Sequence, residues 1–328
     1  MKLIGIEEHF LTHDVTSALA LAPTRDDSLA LNAGVIGDRL HNLGAARLGL
    51  MDETGIDVQV LALAPPGLHG LGPESGALAE KTNDMIAAAV SARPQRFQGL
   101  ATLPMATPLA APRELERCIT KLGLQGVMVY GRCGDKNLDH PDFLPIFEAA
   151  AALDVPVFIH PQIPHASVRQ AYYSGFGLEV DLALSCFALG WHYEAGIQFV
   201  RLVLAGVFDR LPRLQVILGH WGELVIFYAE RLAMLDRVAK LERPFLDYVR
   251  GNLYLTASGM FSETYLQRSI AAVGMDRVLF STDFPYQYRP GRDARRFIEG
   301  LALEQVDKEK LAHGNWTRLT DRSGRGRS

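Results

Sequence analysis

Eight short runs of apolar, β-prone residues recur along the chain, at residues 2–9, 57–63, 96–102, 125–130, 156–160, 213–219, 252–257 and 277–283, and most are separated by helical patterns. Parallel strands need a crossover between them, usually a helix. Eight such units is the count that closes a parallel (β/α)8 TIM barrel with its helices outside. Runs such as Val157-Phe158-Ile159 and Val216-Ile217-Leu218 lack polar alternation, as strands covered on both faces should. Ile197, Val200, Val203, Leu204, Val207 and Phe208 recur at spacings of three and four and predict one buried helical stripe. Pro141 suits the first turn of a helix running to Leu153, and Pro145 allows a start four residues later. The competing fold, an open doubly wound sheet, expects a glycine-rich loop after the first strand. Phe10-Leu11-Thr12-His13 contains no glycine there. Two connections, 13–40 and 161–197, exceed what a minimal barrel needs. Long connections of this kind build lids and pockets.

With 328 residues, 48% hydrophobic and 21% charged, the chain can bury one large core, and no shift in composition marks a second domain. One barrel domain is expected over 1–315. A tail, 316–328, is expected to be disordered at its Arg-, Gly- and Ser-rich end. A net charge of −4 offers no electrostatic reason to bind nucleic acid. No apolar run approaches the ~20 residues of a membrane span. Three scattered cysteines form no disulfide framework and fit a reducing cytoplasm. Met1-Lys2 leads directly into the first strand, so no signal segment is expected.

Active sites of such barrels sit at the C-terminal ends of the strands. The first strand ends in Glu7-Glu8-His9, the fifth in His160, the sixth in His220 and the eighth in Asp283. Side chains two apart on a strand share a face, so Glu7 and His9 project together and Glu8 projects away. A single His after a strand is ordinarily a hydrogen-bonded loop residue. Five metal-competent groups at four ends of one orientation point instead to a divalent-metal site. Of the remaining histidines, His192 in the fifth connection could line the pocket; the others lack this placement.

With these residues in view, the chain resembles the amidohydrolase superfamily. The resemblance is to the metal-dependent decarboxylase branch, which includes the γ-resorcylate and 2,3-dihydroxybenzoate decarboxylases. It spans residues 2–315 and rests on Ile6-Glu7-Glu8-His9-Phe10, the segment 51–60, His160-Pro161, the segment 206–212, Gly219-His220-Trp221-Gly222-Glu223 and Ser281-Thr282-Asp283-Phe284-Pro285. It implies an amidohydrolase-like barrel with a long insertion after strand 5. It also implies Glu7, His9, His160 and Asp283 as ligands of one divalent ion, Zn²⁺ or Mn²⁺. His220 and Glu223 match a catalytic pair and Arg231 a residue near the substrate. Tyr286 departs from the family's ring-packing Phe and adds a hydrogen-bonding phenol. The superfamily's bridging lysine on strand 4 has no counterpart in 125–130, which leaves a single-metal site.

The implied reaction is non-oxidative decarboxylation of a hydroxybenzoate-type aromatic acid. The metal would chelate the carboxylate and the ortho-hydroxyl, and Asp283 would protonate the ring carbon, with His220 and Glu223 tuning that proton. Phe10, Trp191, Phe284 and Tyr286 are candidates to pack the ring. The alternative is metal-dependent hydrolysis of a lactone or amide. A purely structural metal is disfavoured, because closed structural sites usually include several cysteines. The expected partner is a small aromatic carboxylic acid, with no nucleic acid and no membrane, in a homo-oligomer (dimer or tetramer).

Overall fold

The computed structural model describes residues 1–22 and 26–322, and every one of the eight runs contains a strand. They are β1 (Ile4–Phe10), β2 (Val58–Leu63), β3 (Phe97–Gly99), β4 (Val127–Tyr130), β5 (Val157–His160), β6 (Val216–Leu218), β7 (Leu253–Thr256) and β8 (Val278–Leu279). All paired strands are parallel, in two ladders, β1 to β3 and β4 to β8. Two seams close the ring: Ala101 bridges to Val127, and Glu8 bridges to Phe284. At the second seam the Ile6 N–H donates to Phe280 O at 3.1 Å and the His9 N–H to Phe284 O at 2.7 Å. The expected (β/α)8 barrel is the fold. Closure removes the free sheet edges.

Ile4, Ile6, Val60, Met128, Phe158 and Ile217 pack together inside the barrel. A larger apolar layer lies between the wall and the helices. β1 serves both layers through a bulge. Gly5 pairs with Gln59 and Glu8 with Leu61, so Ile6 and Glu7 together face the single residue Val60. One extra residue reverses the alternation beyond it. Ile4 and Ile6 therefore fill the interior, and Glu7 and His9 take the inner side at the mouth. Glu8 and Phe10 turn to the helix layer. This corrects the expectation that Phe10 lines the pocket: it is wholly buried in the layer outside the wall.

Three local expectations shift. The helix after the fifth connection runs Gly190–Leu204 and restarts at Val207 after Gly206, whose φ is +67°. Within the first helix Ile197 and Leu204 lie off the buried face, 48% and 43% exposed, while Val200, Val203, Val207 and Phe208 are buried. Pro141 opens a 3-10 turn, and Pro145 sits in the first turn of the helix Leu144–Ala152. The barrel also continues past 315. Trp316 and Leu319, on the helix Asn315–Thr320, join the interior cluster, and Trp316 Nε1–H donates to Gln98 Oε1 at 2.7 Å. Six residues with two apolar side chains carry too little periodicity to separate from a polar tail. The expected disorder at the tail's end lies outside the described residues.

Both long connections carry helices. The first holds His13–Ala20, the 3-10 turn Asp27–Asn32 and Gly34–Leu40; the insertion after β5 holds Ala166–Tyr172 and Leu178–Ala183. No helix among the described residues is long and apolar enough to cross a membrane.

Candidate active site

Glu7, His9, His160 and Asp283 converge at the mouth, each offering one ligand atom, all within 4.8 Å of one another and all buried. His160 Nε2 lies 3.4 Å from Glu7 Oε1, and His9 Nε2 lies 3.4 Å from Asp283 Oδ1. These gaps are long for hydrogen bonds. Two ligands each ~2.1 Å from one ion, at tetrahedral to right-angle geometry, stand about 3.0–3.4 Å apart. Glu7 Oε1 and His9 Nε2 are buried with no hydrogen-bond partner, which buried polar atoms rarely tolerate.

The other side of three of the ligands is held, His9 the most loosely. His160 Nδ1 is 2.7 Å from Pro161 O, and His9 Nδ1 is 3.4 Å from Leu63 O. Each contact suits an Nδ1–H donor and turns the Nε2 lone pair inward. Glu7 Oε2 accepts from the hydroxyls of Ser258 and Ser281, the latter at 3.2 Å. Burial pushes the His9 imidazole down to about 3 and holds His160 well below its ordinary value, so both stay neutral, the ligating form. Burial pushes the Glu7 carboxyl up to about 8 and Asp283 up to about 7. Two buried carboxylates require compensating positive charge. A divalent ion supplies it, and the residues present fit one.

His220 does not join the four. Its Nδ1 is 2.6 Å from Glu223 Oε1. Burial alone would lower His220, but the Glu223 charge and hydrogen bond overcome it and raise the imidazolium to about 10. Burial likewise opposes the Glu223 charge, yet His220 and His192 hold that carboxylate down at about 2. The turn carrying the pair is strained. Of nine non-glycine residues with left-handed φ among the described residues, His220, Trp221, Glu223, Leu224, Ser258 and Asp283 lie at the ends of β6, β7 and β8. Such residues cost about 1–3 kcal/mol each and cluster at functional sites. Here the His220 N–H donates to Ser258 Oγ at 2.8 Å and the Trp221 N–H to Thr256 O at 2.9 Å. Gly219 is required for contact: a Cβ there would lie 2.7 Å from Ser258 Oγ and 3.3 Å from Glu7 Oε1.

The remaining candidates divide. Trp191 is buried, its ring 6.3 Å from that of His160, and its Nε1–H has no partner. The Tyr286 ring stands edge-on 5.6 Å from His9, but its hydroxyl donates to Asn32 Oδ1 at 2.5 Å. The phenol thus ties the 3-10 turn of the first connection to the end of β8. Phe284 packs under the Arg47 guanidinium, 4.6 Å from its ring centre, on the helix side of the wall. Arg231 is exposed on the helix Ala229–Leu232 and joins none of the cluster's hydrogen bonds or ion pairs among the described residues. A cavity of about 800 Å³ opens among the loops after β2, β4 and β5, lined by Pro66, His69, Arg132, Gln162 and Arg169 among others. None of the four ligands lines it, so it is not the ligand cage.

Sequence reasoning missed the supports. Glu8 accepts from the Thr282 N–H at 2.8 Å, Thr282 Oγ1 at 2.5 Å and Gln59 Nε2 at 3.2 Å. Arg47 donates to Gln59 Oε1 at 2.6 Å and to the His9 carbonyl at 2.7 Å. This buried network grips the chain beside two ligands, His9 and Asp283. The end of β7, Ala257-Ser258, bears no metal-competent group, so a search for ligands passes over it.

The amidohydrolase family model matches residues 38–320. The chain belongs to the amidohydrolase family. Within the family it is 33% identical to the gamma-resorcylate decarboxylase of Polaromonas sp., over 95% of this chain and 96% of that protein. The 5-carboxyvanillate decarboxylase of Sphingomonas paucimobilis superposes with a TM-score of 0.88 at 32% identity, covering 97% of this chain and 98% of that one. A dihydroxybenzoic acid decarboxylase from Polaromonas sp., solved with bound manganese and the inhibitor 2-nitroresorcinol, superposes with a TM-score of 0.83 at 31% identity, over 97% and 96%. Its place in the family is the metal-dependent decarboxylase branch.

Proposed function

We propose that this protein is a metal-dependent carboxy-lyase that removes CO₂ from a hydroxybenzoate-type aromatic acid. The observation that carries this reading is the buried Glu7–His9–His160–Asp283 cluster beside a His220–Glu223 ion pair, on a chain whose relatives decarboxylate such acids. Glu7, His9, His160 and Asp283 would hold the ion, Mn²⁺ as in the solved relative or Zn²⁺. When bound, it supplies a Lewis acid that anchors the substrate's carboxylate and ortho oxygen.

The chain's own groups then move the proton. Asp283 would offer one oxygen to the ion and carry a proton on the other. It gives that proton to the ring carbon bearing the carboxylate, whose electron density the ortho oxygen raises. The bond from that carbon to the carboxylate then breaks, its electron pair restores the aromatic ring, and CO₂ leaves. Each turnover takes up one proton, which returns Asp283 to its starting state. The His220 imidazolium, held by Glu223, balances the carboxylates around the reacting carbon. Trp191, with its unpaired indole N–H, and the Tyr286 ring are the side chains we assign to the substrate. Arg231 would reach it only from the exposed face.

Incubating Mn²⁺- or Zn²⁺-loaded protein with 2,6- and 2,3-dihydroxybenzoate, salicylate and 5-carboxyvanillate should release CO₂ from at least one, with no water oxygen entering the aromatic product. Release from none, beside hydrolysis of an aromatic lactone, would overturn the reading.

We also propose a cytoplasmic setting, supported by three free cysteines, and self-association into a dimer or tetramer. The insertion after β5 presents Tyr172, Phe176, Leu178 and Phe187 to solvent, an apolar surface that a second copy would cover. Light scattering should return a multiple of 36.1 kDa; a monomer at assay concentration would rule this out.

A further inference from the structure

His192 has no part in the proton transfer described above, yet it binds the buried carboxylate on which His220 depends. We infer that His192 is a positioning residue for His220, acting through Glu223; its kinetic consequences rest on the carboxy-lyase reading. Glu223 divides its two oxygens between the histidines. Oε1 lies 2.6 Å from His220 Nδ1 and Oε2 lies 2.7 Å from His192 Nδ1, with the imidazole rings 4.9 Å apart. The other nitrogen of His192 is 3.1 Å from Phe187 O. The ring thus lies between the Glu223 carboxylate and the Phe187 carbonyl.

The consequence is geometric. A carboxylate gripped at one oxygen can turn about its Cγ–Cδ bond. Gripped at both, its plane is set, and with it the direction of Oε1 toward His220. His220 then keeps Nδ1 as the donor, and Nε2 is the nitrogen left to act elsewhere. A second observation shows that the insertion is built onto this turn. At Gly196, one turn beyond His192 on the helix Gly190–Leu204, a Cβ would stand 2.3 Å from Glu223 O. Only glycine lets the helix approach the Glu223 backbone so closely. The long connection after β5 thus acts on the catalytic pair through His192.

Two variants test this. His192→Leu removes the donor, and His192→Asn keeps a donor at the place of Nδ1. In metal-replete protein the Leu variant should lose about 10–100-fold in kcat, the usual effect of removing an outer support, with KM and metal content unchanged. The Asn variant should keep most of the turnover. Histidine-labelled NMR reads the same role without turnover. The low-field His220 Nδ1–H resonance should move or broaden in the Leu variant and persist in the Asn variant. Wild-type kcat and an unmoved resonance in the Leu variant would overturn the inference. So would an Asn variant as impaired as Leu, or a loss of metal that tracks the loss of turnover. If wild-type protein releases no CO₂, the carboxy-lyase reading fails and the resonance alone decides the role of His192.

Discussion

Asp283→Asn, reloaded with metal and confirmed at full occupancy, should lose about 10²–10⁴-fold in the rate of CO₂ release, the range typical of a general acid. The substitution keeps the size and one ligand oxygen but cannot deliver a carboxylic proton. Asp283 is placed for that task because it is buried at the end of β8 within the ligand cluster, where burial favours its protonated form. Exchange of solvent hydrogen at the ring carbon should fall in parallel, since one proton transfer governs both. Near-wild-type turnover in the metal-replete Asn variant would transfer the acid role to His220, the other protonated group beside the cluster.

His160→Ala should strip most of the bound metal while the barrel stays folded. The residue ends β5, its Nδ1 contact is to the next residue in the chain, and its Nε2 points at Glu7. Removing an outer support of a metal ligand costs about 10–100-fold in affinity; removing a ligand should cost more. Metal analysis after dialysis, beside circular dichroism and thermal unfolding, reads both parts of the expectation. A folded variant with stoichiometric metal would remove His160 from the ligand set. Treatment of wild type with a strong chelator should abolish CO₂ release, and Mn²⁺ or Zn²⁺ should restore it.

The barrel was legible because its signals are local. Apolar runs separated by helical stretches mark eight strands, and strand ends in a barrel share one mouth. That is enough to bring Glu7, His9, His160 and Asp283 to one place before any contact is known. The family resemblance, and not spacing, separated His220 from that set. The geometry agrees, since His220 clusters with His192 and Glu223 and not with the four ligands. The aromatic candidates were harder. Phe10 and Trp191 look alike as apolar residues near strand ends or loops, yet one lies outside the wall and the other beside His160.

The sequence by itself determined the strand count, the parallel barrel and the chemical types at the strand ends, because these follow from the spacing of apolar residues and from the polarity of the barrel's C-terminal mouth. Only the tertiary structure decided which way β1 presents its carboxylates. Strict alternation would put Ile4, Ile6 and Glu8 on one face and Glu7 and His9 on the other. The bulge at Ile6–Glu7 lets both Ile6 and Glu7 face inward, and its place depends on the register with β2, a partner some fifty residues away. The hydroxyls of Ser258 and Ser281 on Glu7, the Glu8–Gln59–Arg47 network and the sharing of Glu223 by His192 and His220 arise in the same way. Each joins residues distant in the chain, and its partners are set by how the closed ring and the insertion pack.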